Sequence, residues 1–268
     1  MTIYAQLLLL LGMVFFSTGS FAENRENTKV EKQAPYSNQK EKNSQRTTPS
    51  KTKTGQPIKY IPPFLGAPAT DRLIGMAVRG QKKQHDQLLA VLTPTHTGLT
   101  TKAQPTLHWY IANPVSKSIQ YVEFVLNSEK SITPVLRTRL DLPKKRGIQK
   151  LRLADYDITL EPDVEYAWSI ALVADPTTRS HDFVSSGKVK LGSSKSALQK
   201  RLKQASEKQY PNLFAQAGFW YDTLTALVKQ TEQKPNNQTF RNDLVQLLEQ
   251  VGLHQVAEQT GGTTMNPG

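Results

Sequence analysis

Between Leu88 and Leu191 apolar and polar residues alternate with a period of two, and turn-forming residues interrupt the alternation every eight to twelve positions. A period of two sends successive side chains to opposite faces of an extended chain, so this region predicts strands. Seven are expected: Leu88 to Leu92, Thr106 to Ala112, Ile119 to Asn127, Pro134 to Leu142, Ile148 to Leu153, Val164 to Ala174 and Phe183 to Leu191. In the second, Leu107, Trp109 and Ile111 share one face while His108 and Tyr110 share the other. In the third, Val122, Phe124 and Leu126 oppose Tyr121, Glu123 and Val125, which makes both faces partly apolar. With no helical period competing, the pattern predicts an antiparallel β-sandwich of the fibronectin III/Ig-like kind. Leu160-Glu161-Pro162-Asp163-Val164-Glu165-Tyr166 has the Leu-x-Pro-x-x-x-Tyr spacing of a tyrosine corner, in which a hydroxyl bonds back to upstream backbone. Tyr166 is assigned to that corner, and Trp109 and Trp168 to the core.

After Gly192 the period becomes helical. Leu198, Leu202 and Ala205 form a short apolar stripe, and Tyr210-Pro211 restarts the chain with a proline suited to a first helical turn. Leu213, Ala217, Trp220, Leu224, Leu227 and Val228 form one longer stripe that Pro235-Asn236-Asn237 breaks. Phe240, Leu244, Leu247, Leu248 and Val251 form the third, which Gly252 ends as a left-handed cap. Ala217-Gly218-Phe219 and Val251-Gly252-Leu253 lie 34 residues apart, the period of tetratricopeptide-type helix pairs, with Ala257 where a small residue belongs. About one and a half such units fit, and Thr223 and Gln230 occupy positions that are usually small. A tetratricopeptide-like helix hairpin packed on the sandwich is therefore expected, since a free-standing array needs about three units.

Upstream, an apolar run from Leu7 to Phe16 leads to Ser20-Phe21-Ala22, the layout of a secretory signal peptide. The run is well short of the ~20 apolar residues that cross a bilayer. Residues 1–22 are thus expected to be a cleaved leader, and the protein to be exported to the periplasm or beyond. Residues 23–57 are polar, with Tyr36 as their sole aromatic, and predict a disordered linker. The sandwich is expected over 58–193, helices over 194–260 and a flexible tail over 261–268. Tyr60-Ile61-Pro62-Pro63-Phe64-Leu65-Gly66-Ala67-Pro68 reads as an extended segment laid against the folded part.

The chain contains no cysteine, so an exported fold must rest on an ordinary hydrophobic core rather than on disulfides. Its formal net charge of +12 is spread out: +4 from Glu23 to Ile58, +6 from Lys59 to Ser194 and +2 beyond. Nucleic-acid binders concentrate such charge on one stripe, so a solvated cationic surface with weak electrostatic leaning toward anionic envelope polymers or lipid is expected instead, and no nucleic-acid partner. Membrane contact would come only from an uncleaved leader or from that weak attraction.

His85, His96, His108, His181 and His254 show no paired metal-ligand spacing, and no metal or other cofactor is expected. Gly187-Lys188-Val189-Lys190-Leu191-Gly192-Ser193-Ser194 imitates a phosphate loop but has Ser193 at the lysine position. Ser185-x-x-Lys188 and Ser50-x-x-Lys53 fall in a strand and in the linker rather than at a helix start. An enzyme is not expected. Lys144-Lys145-Arg146-Gly147 reads as a basic hairpin tip that is charged because it is wet, with the grip on an anion as the alternative. In Trp220-Tyr221-Asp222, Trp220 belongs to the apolar stripe, whereas Tyr221 and Asp222 fall off it and are candidates for meeting a partner or the sandwich.

Gly98-Leu99-Thr100-Thr101 leading to Trp109-Tyr110, Val122 to Leu126, Leu160 to Trp168, Ala217 to Asp222, and Asp243-Leu244 to Leu253 together resemble the bacterial domain-of-unknown-function family number 928. The resemblance covers about Tyr60 to Leu253, with Trp-Tyr-Asp its most specific piece. Family members often carry a cysteine near the position of Ala174, so any role for that thiol is missing here. The resemblance implies an exported protein and supplies no catalytic residues. A non-enzymatic interaction module with an envelope protein partner is the expected function. The alternative is a carbohydrate- or peptidoglycan-binding sandwich, which needs two or three exposed aromatics on one sheet face and for which Tyr110 and Tyr121 are the candidates.

Overall fold

The computed structural model describes residues 57–63, 89–112, 118–194 and 196–262. The expected leader, nearly all of the linker, Phe64 to Pro68 of the extended segment and residues 263–268 of the tail lie outside the described residues. The described chain has eight strands followed by five α-helices. They are β1 (Leu89–Val91), β2 (Gly98–Thr100), β3 (Thr106–Ile111), β4 (Tyr121–Ser128), β5 (Leu136–Leu140), β6 (Gly147–Arg152), β7 (Glu165–Val173) and β8 (Phe183–Leu191), then α1 (Ser196–Gln204), α2 (Tyr210–Gln216), α3 (Trp220–Gln233), α4 (Gln238–Gln250) and α5 (His254–Gly261).

Seven strands fall where the alternation puts them. The eighth, β2, has three residues, too few for a period to show, and it adds to the sheet edge parallel to β8 through Gly98, Leu99 and Thr100 opposite Val189, Lys190 and Leu191. The strands form two sheets in the orders β1-β3-β6 and β2-β8-β7-β4-β5. Among the described residues every other pair of strands is antiparallel, and a single parallel bridge joins Pro162 to Leu191. The sheets give a sandwich-like arrangement with a shared core. Leu107 and Trp109 from β3, Val122, Phe124 and Leu126 from β4, and Trp168, Ile170 and Leu172 from β7 are all buried in it. The Ser185 hydroxyl accepts from the Val91 N–H at 2.9 Å, a direct tie between the sheets. Tyr166 accepts from the Glu161 N–H at 3.1 Å and so closes the turn ahead of β7.

His108 and Tyr110, on the opposite face of β3 from Trp109, are also buried. The reason is that α3 packs across β3 and β2, and one core continues from the sheets into α3, α4 and α5. That explains strands with two apolar faces.

The single long stripe from Leu213 to Val228 is not one helix. It breaks at Gly218, whose φ of +82° is left-handed, and resumes as α3. Gly252, at φ +73°, separates α4 from α5 in the same way. At both places the N–H after the glycine bonds the carbonyl five residues back, Phe219 to Phe214 and Leu253 to Leu248, each at 3.0 Å. The glycine N–H bonds the carbonyl three back, Gly218 to Ala215 and Gly252 to Glu249. These paired bonds satisfy the orphan carbonyls of a helix end, and the left-handed residue between them costs least as glycine. Two helix–glycine–helix turns therefore recur 34 residues apart, where about one and a half units were expected. Asn237 caps α4 by accepting from the Thr239 and Phe240 N–H groups, which is why Pro235-Asn236-Asn237 can end one helix and start the next.

Candidate functional site at the junction of sheets and helices

The first three residues of α3 bond three different parts of the β region. The Trp220 indole N–H donates to the Leu92 carbonyl at 2.9 Å. The Tyr221 hydroxyl donates to the Lys188 carbonyl at 2.9 Å and accepts from the Trp168 indole at 2.8 Å, with the Thr93 hydroxyl 3.2 Å away. A phenol has one proton to give and two lone pairs to fill, so this hydroxyl is fully used. The Asp222 carboxylate accepts from the Thr101 N–H at 2.8 Å and from the Thr101 hydroxyl at 2.6 Å. Burial pushes the Asp222 carboxyl above its usual range, and the Thr101 bonds pull against that rise. Burial likewise raises the Tyr221 phenol, which stays protonated.

Tyr221 is 1% and Asp222 4% exposed. Of the two expectations for this pair, a partner or the sandwich, burial removes the first as a free surface and the second holds: off the apolar stripe of α3, they face the β region and fasten the helix to it. Trp220, Trp168, Trp109 and Tyr166 are all buried in the core. Sequence reasoning missed Gly98. A Cβ there would stand 2.7 Å from the Tyr221 ring, so the bare backbone of β2 is what lets the ring lie against it.

A second feature is the grip on residues 57–63. The Gln250 side-chain amide accepts from the Tyr60 N–H at 2.9 Å and donates to the Ile58 carbonyl at 3.0 Å, the two-bond pattern by which one strand holds another. Ile61 N–H bonds the Ala215 carbonyl at 3.0 Å. The Tyr60 ring stacks on His96 and meets Trp220 edge-on with centroids 5.2 Å apart, and its hydroxyl is 3.0 Å from His96 Nε2. Ile58 and Tyr60 are buried while Lys59 and Ile61 point outward, the alternation of an extended peptide. Nothing in the residue type of Gln250 announces this role; it ends an ordinary amphipathic helix.

The junction also holds two cavities. One, of about 250 Å³, lies beside Asp222, Lys102 and the Glu207–Lys229 ion pair. The larger, of about 510 Å³, opens between β3, β6 and the last three helices, and Tyr110, Arg146, Val228 and Leu244 help line it. The hairpin tip expected at Lys144 to Gly147 is corrected by the topology: β5 and β6 belong to different sheets, so this loop crosses between them, and Arg146 in it lines the cavity, which its neighbours Lys144 and Lys145 do not. The two tyrosines proposed for a carbohydrate platform do not share a sheet: Tyr110 is in the three-stranded sheet and Tyr121 in the five-stranded one, under the Arg139 guanidinium at 4.2 Å. Among the described residues no helix is long and apolar enough to cross a membrane.

Residues 74–261 match the model of the family described as Domain of Unknown Function (DUF928), and the chain belongs to that family. No curated protein matches it. Among solved structures it is similar to Astrotactin-2, described as a conserved vertebrate-specific and perforin-like membrane protein involved in neuronal development, at 12% identity and a TM-score of 0.26. That match covers 65% of this chain and 38% of the other, so the chain spans well under half of that protein's length.

Proposed function

We propose that the chain is an exported, non-enzymatic interaction module of the cell envelope. Its β region is read as a fibronectin III/Ig-like sandwich and its helices as tetratricopeptide-like pairs. The sheet orders β1-β3-β6 and β2-β8-β7-β4-β5, with Tyr166 at the start of β7, support the first. The 34-residue recurrence of the glycine turns supports the second.

The observation that carries the functional reading is the hold on residues 57–63. Bonds to the segment's main chain from the Gln250 side-chain amide and the Ala215 carbonyl, with one aromatic side chain seated between His96 and Trp220, resemble how modules recognise extended peptides: bonds to the backbone supply affinity and a pocket supplies selectivity. The junction is thus built from parts suited to segments of other chains. The test is cross-linking in intact bacterial cells that express the full chain, followed by fractionation and mass spectrometry. The expected result is a chain that starts near Glu23, lies outside the cytoplasm and carries reproducible cross-links to one envelope protein. A chain retaining Met1 in the cytoplasm, or free of cross-links in every preparation, overturns the reading.

A further inference from the structure

The cavity of about 510 Å³ is of a size that takes small ligands or a terminal residue of a peptide. Its apolar lining comes from Ile148, Val228, Leu244 and the Tyr110 ring. Its charge is cationic: it is lined by Arg146 and Arg241 against one acid, Glu232, both of whose oxygens take bonds from Lys150 at 2.9 Å. Arg241 is braced at 2.7 Å on the Pro235 carbonyl. Arg146 has no acidic partner among the described residues. Burial raises the Tyr110 phenol and the Arg146 charge opposes the rise, so the positive field reaches the ring hydroxyl. Thr231, Gln259 and Thr260 add hydrogen-bonding groups.

We propose that this cavity binds the free C-terminus of a partner polypeptide, taking an apolar last side chain onto Ile148, Val228 and Leu244 and its carboxylate at Arg146. A planar guanidinium matches a carboxylate with two parallel bonds, which a lysine at the same place does not. The Thr231 and Thr260 hydroxyls give their protons to the Val228 and Val256 carbonyls at 2.9 and 2.7 Å, which leaves oxygen lone pairs that can accept from a peptide N–H. A fatty acid has no N–H to offer them. This assignment rests on the interaction-module reading and adds the chemistry of what is bound.

The experiment uses the purified full chain and backbone-amide NMR. One probe is a pool of tetrapeptides with a random apolar last residue and a free carboxylate; the others are the same pool as C-terminal amides, and octanoate. The acid pool should shift the signals of Gly147, Thr231 and Thr260, and the amide pool should bind at least tenfold more weakly. Arg146→Gln, in an exposed loop, should leave the melting temperature unchanged and weaken the acid pool at least tenfold, and Arg146→Lys should restore only part of that loss. Equal shifts from acid and amide pools, no shifts at all, or octanoate binding as well as the acid pool would each overturn the proposal. Those outcomes leave the envelope cross-links untouched, so failure of this site and failure of the interaction reading are separable.

Discussion

Replacing Tyr221 by Phe removes one oxygen and keeps the ring, so apolar burial against Gly98 is unchanged. What is lost is the hub. The Trp168 N–H and the Lys188 carbonyl each lose their bond to it, and Thr93 loses a neighbour. A buried polar group left unpaired costs about 1–3 kcal/mol. The Trp168 N–H left without its acceptor, with the bond lost at the part-buried Lys188 carbonyl and offset by the desolvation that the missing hydroxyl no longer requires, gives a destabilisation of about 2–4 kcal/mol. This rivals the ~3–5 kcal/mol expected for Trp220→Ala, which deletes a far larger side chain from a fully buried position. Urea unfolding followed by tryptophan fluorescence reads it directly: at a slope near 2 kcal/mol per molar, the midpoint should fall by about 1–2 M with the slope unchanged. A loss below about 0.5 kcal/mol would refute the reasoning and show that the hydroxyl is not what holds α3 to the sheets.

Gly98→Ala should destabilise by about 1–3 kcal/mol in the same assay, because the new methyl meets a ring that its own bonds hold in place. Gln250→Ala should cost about 1–3 kcal/mol and expose the 57–63 segment to protease, since it strips both bonds from that backbone; an unchanged digestion pattern would count against the grip. Trimming to Pro57 should leave the melting temperature alone, whereas trimming past Pro63 should lower it by several degrees, because Ile58 and Tyr60 are core residues. His108 is lowered to about 3 by burial and by Lys150. The unfolded chain therefore takes up the proton first, and the stability linked to neutral His108 is full above about pH 6.5 and is lost as pH falls toward 3. His108→Leu should flatten that acid arm without harm at pH 7, since Nδ1 has no partner among the described residues; an acid arm as steep as before would refute the assignment.

Seven strands were legible because a half-buried sheet writes its geometry into every second residue, and the order of strands before helices followed. The tyrosine corner and the Gly252 cap were legible too, since Tyr166 and Gly252 act within a few residues of themselves. The break within the Leu213–Val228 stripe was not, because a glycine turn that keeps apolar residues in phase leaves the stripe intact. β2 was hidden by its length, and its partner lies about ninety residues away. Partners at such distances are what only the tertiary structure decided. Tyr221 and Asp222 fall off the helical stripe in sequence, which leaves a partner and the sandwich equally open, and only the fold shows that the β region covers that side of α3. Gln250 meets Tyr60 across 190 residues, and Arg146 meets a cavity assembled from three helices. Periodicity records which face of an element is apolar; only the assembled fold decides how many faces are covered, and by what.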